Sequence, residues 1–172
     1  MSHRLDRIVV IGTTSAGKTT LARQLSERLG APHVELDALH WEPNWTPAVP
    51  ELFRGRAAQA TLPSAWVADG NYSAVRDIVW TRATTLVWLD YSMVVIMWRM
   101  LWRTLLRVAI REELWNGNRE TMRGVFLSRD SLLVWSFQTH WKQRQTFPDG
   151  LRRPEYAHLV VVHLRSPRAT RH

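Results

Sequence analysis

The run Gly12-Thr13-Thr14-Ser15-Ala16-Gly17-Lys18-Thr19-Thr20 places two glycines, a lysine and a hydroxyl at the spacing G-x-x-x-x-G-K-[ST]. The chemistry open to such a set is the holding of a phosphate chain. Backbone N–H groups along Gly12 to Thr20 and a helix N-terminus would converge on an anion. Lys18 would reach the outer phosphates, and the Thr19 hydroxyl would ligate Mg²⁺. The chain holds only two lysines, Lys18 and Lys142, against many arginines, so a lysine at the motif position is a pointed choice.

Opposite this cradle the sequence offers carboxylates and arginines. Asp37 ends an apolar run, where it could take the proton of an acceptor hydroxyl or hold Mg²⁺ through water. His40 and Trp41, with Trp45 beyond them, follow in the same loop. Gly70, Asn71 and Tyr72 follow Asp69 in another. Together these two loops form the expected acceptor-binding side, with His40 able to meet an anionic group and an indole able to stack on a ring. Arg99, Arg103, Arg107 and Arg111 recur every four residues and form one slowly drifting stripe on a helix. Leu101, Leu105 and Val108 lie off that stripe and are expected to pack on the body. Arg119 and Arg123, past the Asn116-Gly117-Asn118 turn, supply a returning arm. Arginine suits a transferring phosphoryl group because its fork binds phosphate oxygens and stays charged. The competing reading of the stripe is a solvated face neutralised by Glu112, Glu113 and Glu120.

These residues need elements to position them. Strands are expected at Arg7 to Gly12, His33 to Leu36, Trp66 to Ala68, Thr85 to Leu89 and Ala157 to Leu164. Helices are expected at Lys18 to Leu29, Glu51 to Thr61, Ser92 to Trp115 and Ser128 to Gln145. Glu42 to Pro50 reads as loop. Apolar strands alternating with helices imply an α/β fold with a parallel sheet covered on both faces. Ligands in such folds sit at the carboxyl ends of the strands, where the glycine loop, Asp37 and Asp69 fall.

The 172 residues form one expected domain, with an acceptor-binding insertion at about 38–64 and a lid at about 99–127. No cysteine is present, which excludes disulfides, thiolate metal sites and a Cys nucleophile. The start of the chain shows no apolar leader, and the run at 93–110 carries three arginines, too charged for a membrane span, so a cytoplasmic protein without a membrane partner is expected. The net charge of +8 points to anionic partners. Nucleotides are favoured over nucleic acid, and monomer and homodimer are both open. His140 and Lys142 read as a solvated helix face.

The motifs resemble those of the nucleoside-monophosphate-kinase-like group of P-loop proteins, which includes adenylate, shikimate and gluconate kinases. The chain looks closest to the small kinase-like proteins labelled topology-modulation or FlaR-related. An N-K-x-D base-reading motif of GTPases is missing, and a typical motor ATPase module is larger. Ala68-Asp69-Gly70-Asn71-Tyr72 resembles the L-D-G-F-P element of adenylate kinases, which implies that Asp69, beside the P-loop strand, acts near Mg²⁺ in preference to Asp90. Leu89-Asp90 followed by Arg99 and Arg103 resembles that family's fourth strand and lid. Glu35-Leu36-Asp37-Ala38-Leu39-His40 resembles the small-metabolite kinases, where the Asp orients the acceptor hydroxyl. Arg165, after the last strand, falls where relatives flank adenine. Ser15 stands where these kinases carry Gly, a position that favours positive φ. The resemblance implies a three-layer P-loop fold with a five-stranded parallel sheet and a helical, arginine-rich lid. It implies an ATP- and Mg²⁺-dependent kinase acting on a nucleoside monophosphate or, second, a small hydroxylated metabolite. A nucleic-acid-binding regulator that transfers nothing is the alternative.

Overall fold

A computed structural model describes residues 6–110, 116 and 132–170, with the side chains of 107–110 and 132–136 left aside. Its centre is a five-stranded parallel sheet in the order β2-β5-β1-β6-β7. The strands are β1 (Arg7–Gly12), β2 (His33–Glu35), β5 (Trp66–Asp69), β6 (Thr85–Leu89) and β7 (Val160–Leu164). β1, β5 and β6 are buried nearly throughout, as continuous apolar runs in a covered sheet must be.

The alternation of strand residues divides the core in two. Ile8, Val10 and Val67 face one side, under α1 (Lys18–Leu29) and α5 (Met93–Ile110), with Leu21, Leu25, Ile96 and Tyr91. Val9, Ile11, Val34 and Ala68 face the other, under α2 (Leu36–His40), α3 (Pro50–Ala60), α4 (Arg76–Arg82) and α6 (Leu132–Leu151), with Phe53, Trp80 and Phe147. Three layers result, the expected P-loop architecture.

Several boundaries depart from expectation for local reasons. β2 stops at Glu35, and Asp37 lies in the first turn of α2. The stretch read as loop holds a small antiparallel hairpin, β3 (Trp41–Glu42) with β4 (Thr46–Pro47). Its turn is tight because Asn44 and Trp45 take positive φ, 61° and 55°. α4 went unassigned in the sequence. α6 runs on to Leu151, past Pro148, and a one-turn helix at Pro154–Tyr156 shortens the last strand. Of the expected helix to Trp115, residues 111–115 lie outside the described ones.

α5 corrects the expected packing of its leucines. Ile96, Met100 and Thr104 are fully buried, whereas Leu101, Leu105 and Leu106 are exposed along with Trp98 and Trp102. Arg99 and Arg103 lie half-buried beside that face, and Arg99 reaches the glycine loop at the Ala16 carbonyl. No helix among the described residues is long and apolar enough to cross a membrane.

Candidate active site

β1 delivers the loop and α1 receives it. Gly12 sits at φ 147°, and a Cβ there would lie 2.6 Å from the Leu89 carbonyl oxygen, so only glycine fits between β1 and β6. Gly17 caps α1 at φ 96°. Ser15 takes φ 64°, so serine does adopt the geometry that favours glycine. Its Oγ is buried without a hydrogen-bond partner. An orphaned buried donor in a loop that leads into the N-terminus of α1 fits a phosphate.

Three side chains brace this loop. The Asn71 amide grips the Gly12 peptide on both edges: Gly12 N donates to Oδ1 at 3.1 Å, and Nδ2 donates to the Gly12 carbonyl at 2.5 Å. Asn71, expected on the acceptor, is thus engaged with the loop. Arg99 lies over the Tyr91 ring and donates Nη1 to the Ala16 carbonyl at 2.6 Å. His140 approaches from α6, its Nδ1 3.1 Å from Thr13 Oγ1. It is 1% exposed, which overturns the solvated face expected of it, while Lys142 is exposed. Burial, then the nearby Arg144, hold the His140 imidazole below its usual pKa, so it is neutral at pH 7.

Lys18 bends back over the loop, Nζ donating to the Thr13 carbonyl at 3.3 Å. Burial lowers its pKa, the charges of Asp37 and Asp69 oppose that, and Arg103 adds to the lowering. Two carboxylates and the second stripe arginine therefore act on one ammonium. Thr19 Oγ1 donates to Asp69 Oδ2 at 2.6 Å. Val10 pairs with Asp69 across β1 and β5, which sets the carboxylate beside the start of α1. A hydroxyl and a carboxylate held together are hard oxygen donors suited to Mg²⁺, which takes few protein ligands and completes its shell with phosphates and water. Asp90 is committed elsewhere, to Arg144 Nε at 2.5 Å and His163 Nε2 at 3.0 Å. Burial opposes them, but these partners hold its carboxyl below the usual range.

On the acceptor side, Tyr72 donates its hydroxyl to Asp37 Oδ1 at 2.5 Å. Burial first, and the Asp37 charge second, push the Tyr72 phenol far above its usual pKa, so it stays a donor. His40 is boxed by Trp41, Phe53 and Tyr72 at centroid distances of 4.8, 4.9 and 4.6 Å. Burial lowers its pKa against the pull of Asp37, which leaves a neutral ring rather than an anion-binding cation. Trp41 meets Trp45 edge-on at 5.6 Å. Gly70, at φ 139°, lets the chain pass Leu36, whose Cβ would stand 2.8 Å from a Cβ at that position.

Thr14 is half-buried in the loop, while Thr20 and Arg165 are exposed, Arg165 just beyond β7. The side chain of Arg107 and all of Arg111, Arg119 and Arg123 lie outside the described residues, as does most of the lid. The sequence reading missed His33, whose Nε2 stands 2.8 Å from Asp69 Oδ1, and Gln143, which accepts from Thr13 Oγ1 at 3.4 Å. Glu35 has Oε1 3.7 Å from His33 Nδ1.

A family model described as an AAA domain matches residues 7–167. Solved structures similar in fold include a gluconokinase from Sinorhizobium meliloti 1021, with TM-score 0.53 and 20% identity, covering 96% of this chain and 89% of that one. A shikimate kinase from Bacteroides thetaiotaomicron gives TM-score 0.57 at 17% identity, covering 96% and 92%. A shikimate kinase from Acinetobacter baumannii in complex with shikimate gives 0.55 at 20%, covering 98% and 89%. No curated protein matches the sequence.

Proposed function

The chain belongs to this AAA-domain family of P-loop proteins, and from that premise we propose that it is an ATP-dependent kinase of a small hydroxylated metabolite. Its motifs set it beside the topology-modulation type of small kinase-like protein. The observation that carries the reading is a convergence. Lys18, the Thr19–Asp69 pair and the Tyr72–Asp37 pair meet at one end of the sheet, with the charge of Arg103 felt at Lys18.

The loop N–H groups and Lys18 would hold the triphosphate, and Thr19 with Asp69 would hold Mg²⁺. ATP and Mg²⁺ are the cofactors this fold carries; the ion, when bound, neutralises charge on the outer phosphates. Asp37, oriented by Tyr72, takes the proton of the acceptor hydroxyl as its oxygen attacks the γ-phosphorus and the bond to ADP breaks. Arg103 opposes the charge that spreads over the equatorial oxygens.

Among the described residues of α3 and α4, three arginines are already engaged. Arg56 donates to Glu42 and the Leu39 carbonyl, Arg54 to Asp77 and the Ala74 carbonyl, and Arg82 to Thr61 and the Ala58 carbonyl. Among the described residues, with these arginines held and His40 neutral, the aromatic cradle of Trp41 and Tyr72 beside Asp37 suits a small polyol better than a nucleoside monophosphate. That favours the second of the two expected acceptor classes. Shikimate, the compound in one of the similar structures, belongs in the test panel.

The test incubates ATP with sugars, polyols, sugar acids, shikimate and nucleoside monophosphates, with Lys18→Ala as control. ADP release above the water background with one acceptor class is expected. If no acceptor raises it, the kinase reading fails. The net charge of +8 supports one rival, a nucleotide-gated regulator of nucleic acid. Salt-sensitive nucleic-acid binding that survives Lys18→Ala would favour it.

A further inference from the structure

Asp69 is only 2% exposed. Both its oxygens are spoken for, by different elements. Thr19, on α1, donates to Oδ2 at 2.6 Å. His33, on β2, approaches Oδ1 at 2.8 Å through Nε2. A carboxylate only accepts, so the proton of this bond lies on His33 Nε2. The register explains the meeting. Glu35 pairs with Asp69 and His33 with Val67 across β2 and β5, so His33, Glu35 and Asp69 project from the same, α1-facing side of the sheet. The His33 side chain is 15% exposed, so the bond forms in a site shielded from water.

We propose that His33 is a positioning residue for the metal-holding carboxylate. It anchors one oxygen of Asp69 so that the other stays aimed at Thr19 and the phosphate cradle. This rests on the reading that Thr19 and Asp69 hold the divalent cation. The physical need is specific. The terminal torsion of an aspartate is broad and roughly two-fold, so one short contact does not fix the plane of the carboxylate. Two donors from opposite edges do fix it. Outer partners of a ligating carboxylate typically change metal affinity by 10–100-fold when removed. A His33 that only filled space at the strand edge would affect stability and leave the ion untouched.

The experiment measures Mn²⁺ affinity by electron paramagnetic resonance of the free ion, in the presence of saturating ADP, on the full chain. Wild type, Asp69→Asn, His33→Ala and His33→Gln are compared, and ADP affinity without metal reports on the loop. His33→Ala is expected to weaken Mn²⁺ by about 10-fold, with metal-free ADP affinity within about twofold of wild type. His33→Gln keeps a donor at the end of a side chain able to reach Asp69 and is expected to recover most of the loss. Two results overturn the proposal while leaving the cation site intact: wild-type Mn²⁺ affinity in His33→Ala, or His33→Gln as weak as His33→Ala. Asp69→Asn binding Mn²⁺ like wild type would sink the site reading, and the proposal with it. If His33→Ala does not fold, His33→Leu against His33→Gln makes the same comparison, since leucine fills the space and donates nothing.

Discussion

Ser15 stands in the left-handed region at φ 64°, and its buried Oγ has no partner. Two substitutions separate those features. Ser15→Ala keeps the strained backbone and removes the orphaned hydroxyl; Ser15→Gly removes both. Left-handed backbone costs a non-glycine residue about 1–2 kcal/mol, and glycine returns about 0.5–1 kcal/mol of that through its freer unfolded chain. A buried donor without a partner costs about 1–3 kcal/mol, and the low end applies because the residue as a whole is only half-buried. Ser15→Ala should therefore stabilise the nucleotide-free protein by about 1 kcal/mol and Ser15→Gly by roughly 1.5 kcal/mol. For a chain of 172 residues each kcal/mol moves Tm by roughly 3 °C. Thermal melts would show rises of about 3 and about 5 °C. Saturating Mg·ATP should shrink the alanine gain, because a phosphate oxygen then accepts from Ser15 in the wild type. A Ser15→Gly protein that melts at or below wild type would refute the strain argument. An alanine gain that nucleotide does not reduce would refute the assignment of the hydroxyl to the phosphate.

Other outcomes follow from the contacts around the loop. Asn71→Ala leaves the Gly12 N–H and carbonyl without their amide partner, which should cost about 2 kcal/mol in denaturant melts and weaken ADP binding. Arg103→Ala should slow turnover by about 10³-fold and leave ADP affinity nearly unchanged; equal losses in both would deny it a transition-state role. Asp37→Asn should slow turnover by about 10²-fold or more without altering metal-free ADP binding, as rate assays and calorimetry can check. Two neutral histidines, His140 buried and His40 half-buried, set a pH trend. His40 and His140 have folded pKa values below the ordinary 6.5, so the unfolded chain binds more protons between the folded and ordinary values. Their contribution to stability is full above about pH 6.5 and falls as the pH drops towards the folded values. Urea melts from pH 7.5 to 5 should follow that slope, and His140→Gln should flatten it.

The parts of this molecule that were legible in the sequence are those whose signal is local. The glycine loop lies between a β-branched run and a leucine-faced helix, and β1 and α1 begin and end where that pattern says. The site's bracing was not legible, because it is made by contacts between elements whose relative register no local pattern carries. His33 and Asp69 are bonded only because β2 slides to put Glu35 opposite Asp69; a shift of one residue would turn both side chains of β2 to the other face. His140 left a fainter trace. With Gln143, Arg144 and Phe147 it spaces as i, i+3, i+4 and i+7, one helical face, and that face is the one turned to Thr13, Asp90 and the core. The stripe on α5 shows the limit of hydropathy as a guide to facing. By apolar content alone the leucines and tryptophans should turn inward, yet they are exposed while Arg99 and Arg103 are half-buried beside Met100 and Thr104. Arg99 gains a bond to the Ala16 carbonyl and a seat over Tyr91. Arg103 comes close enough to Lys18 to perturb it. Ile96, Met100 and Thr104 fix the face of α5 that packs on the body, and Arg99 and Arg103, each one residue before a buried position, ride at its edge, so the leucines and tryptophans are left outside.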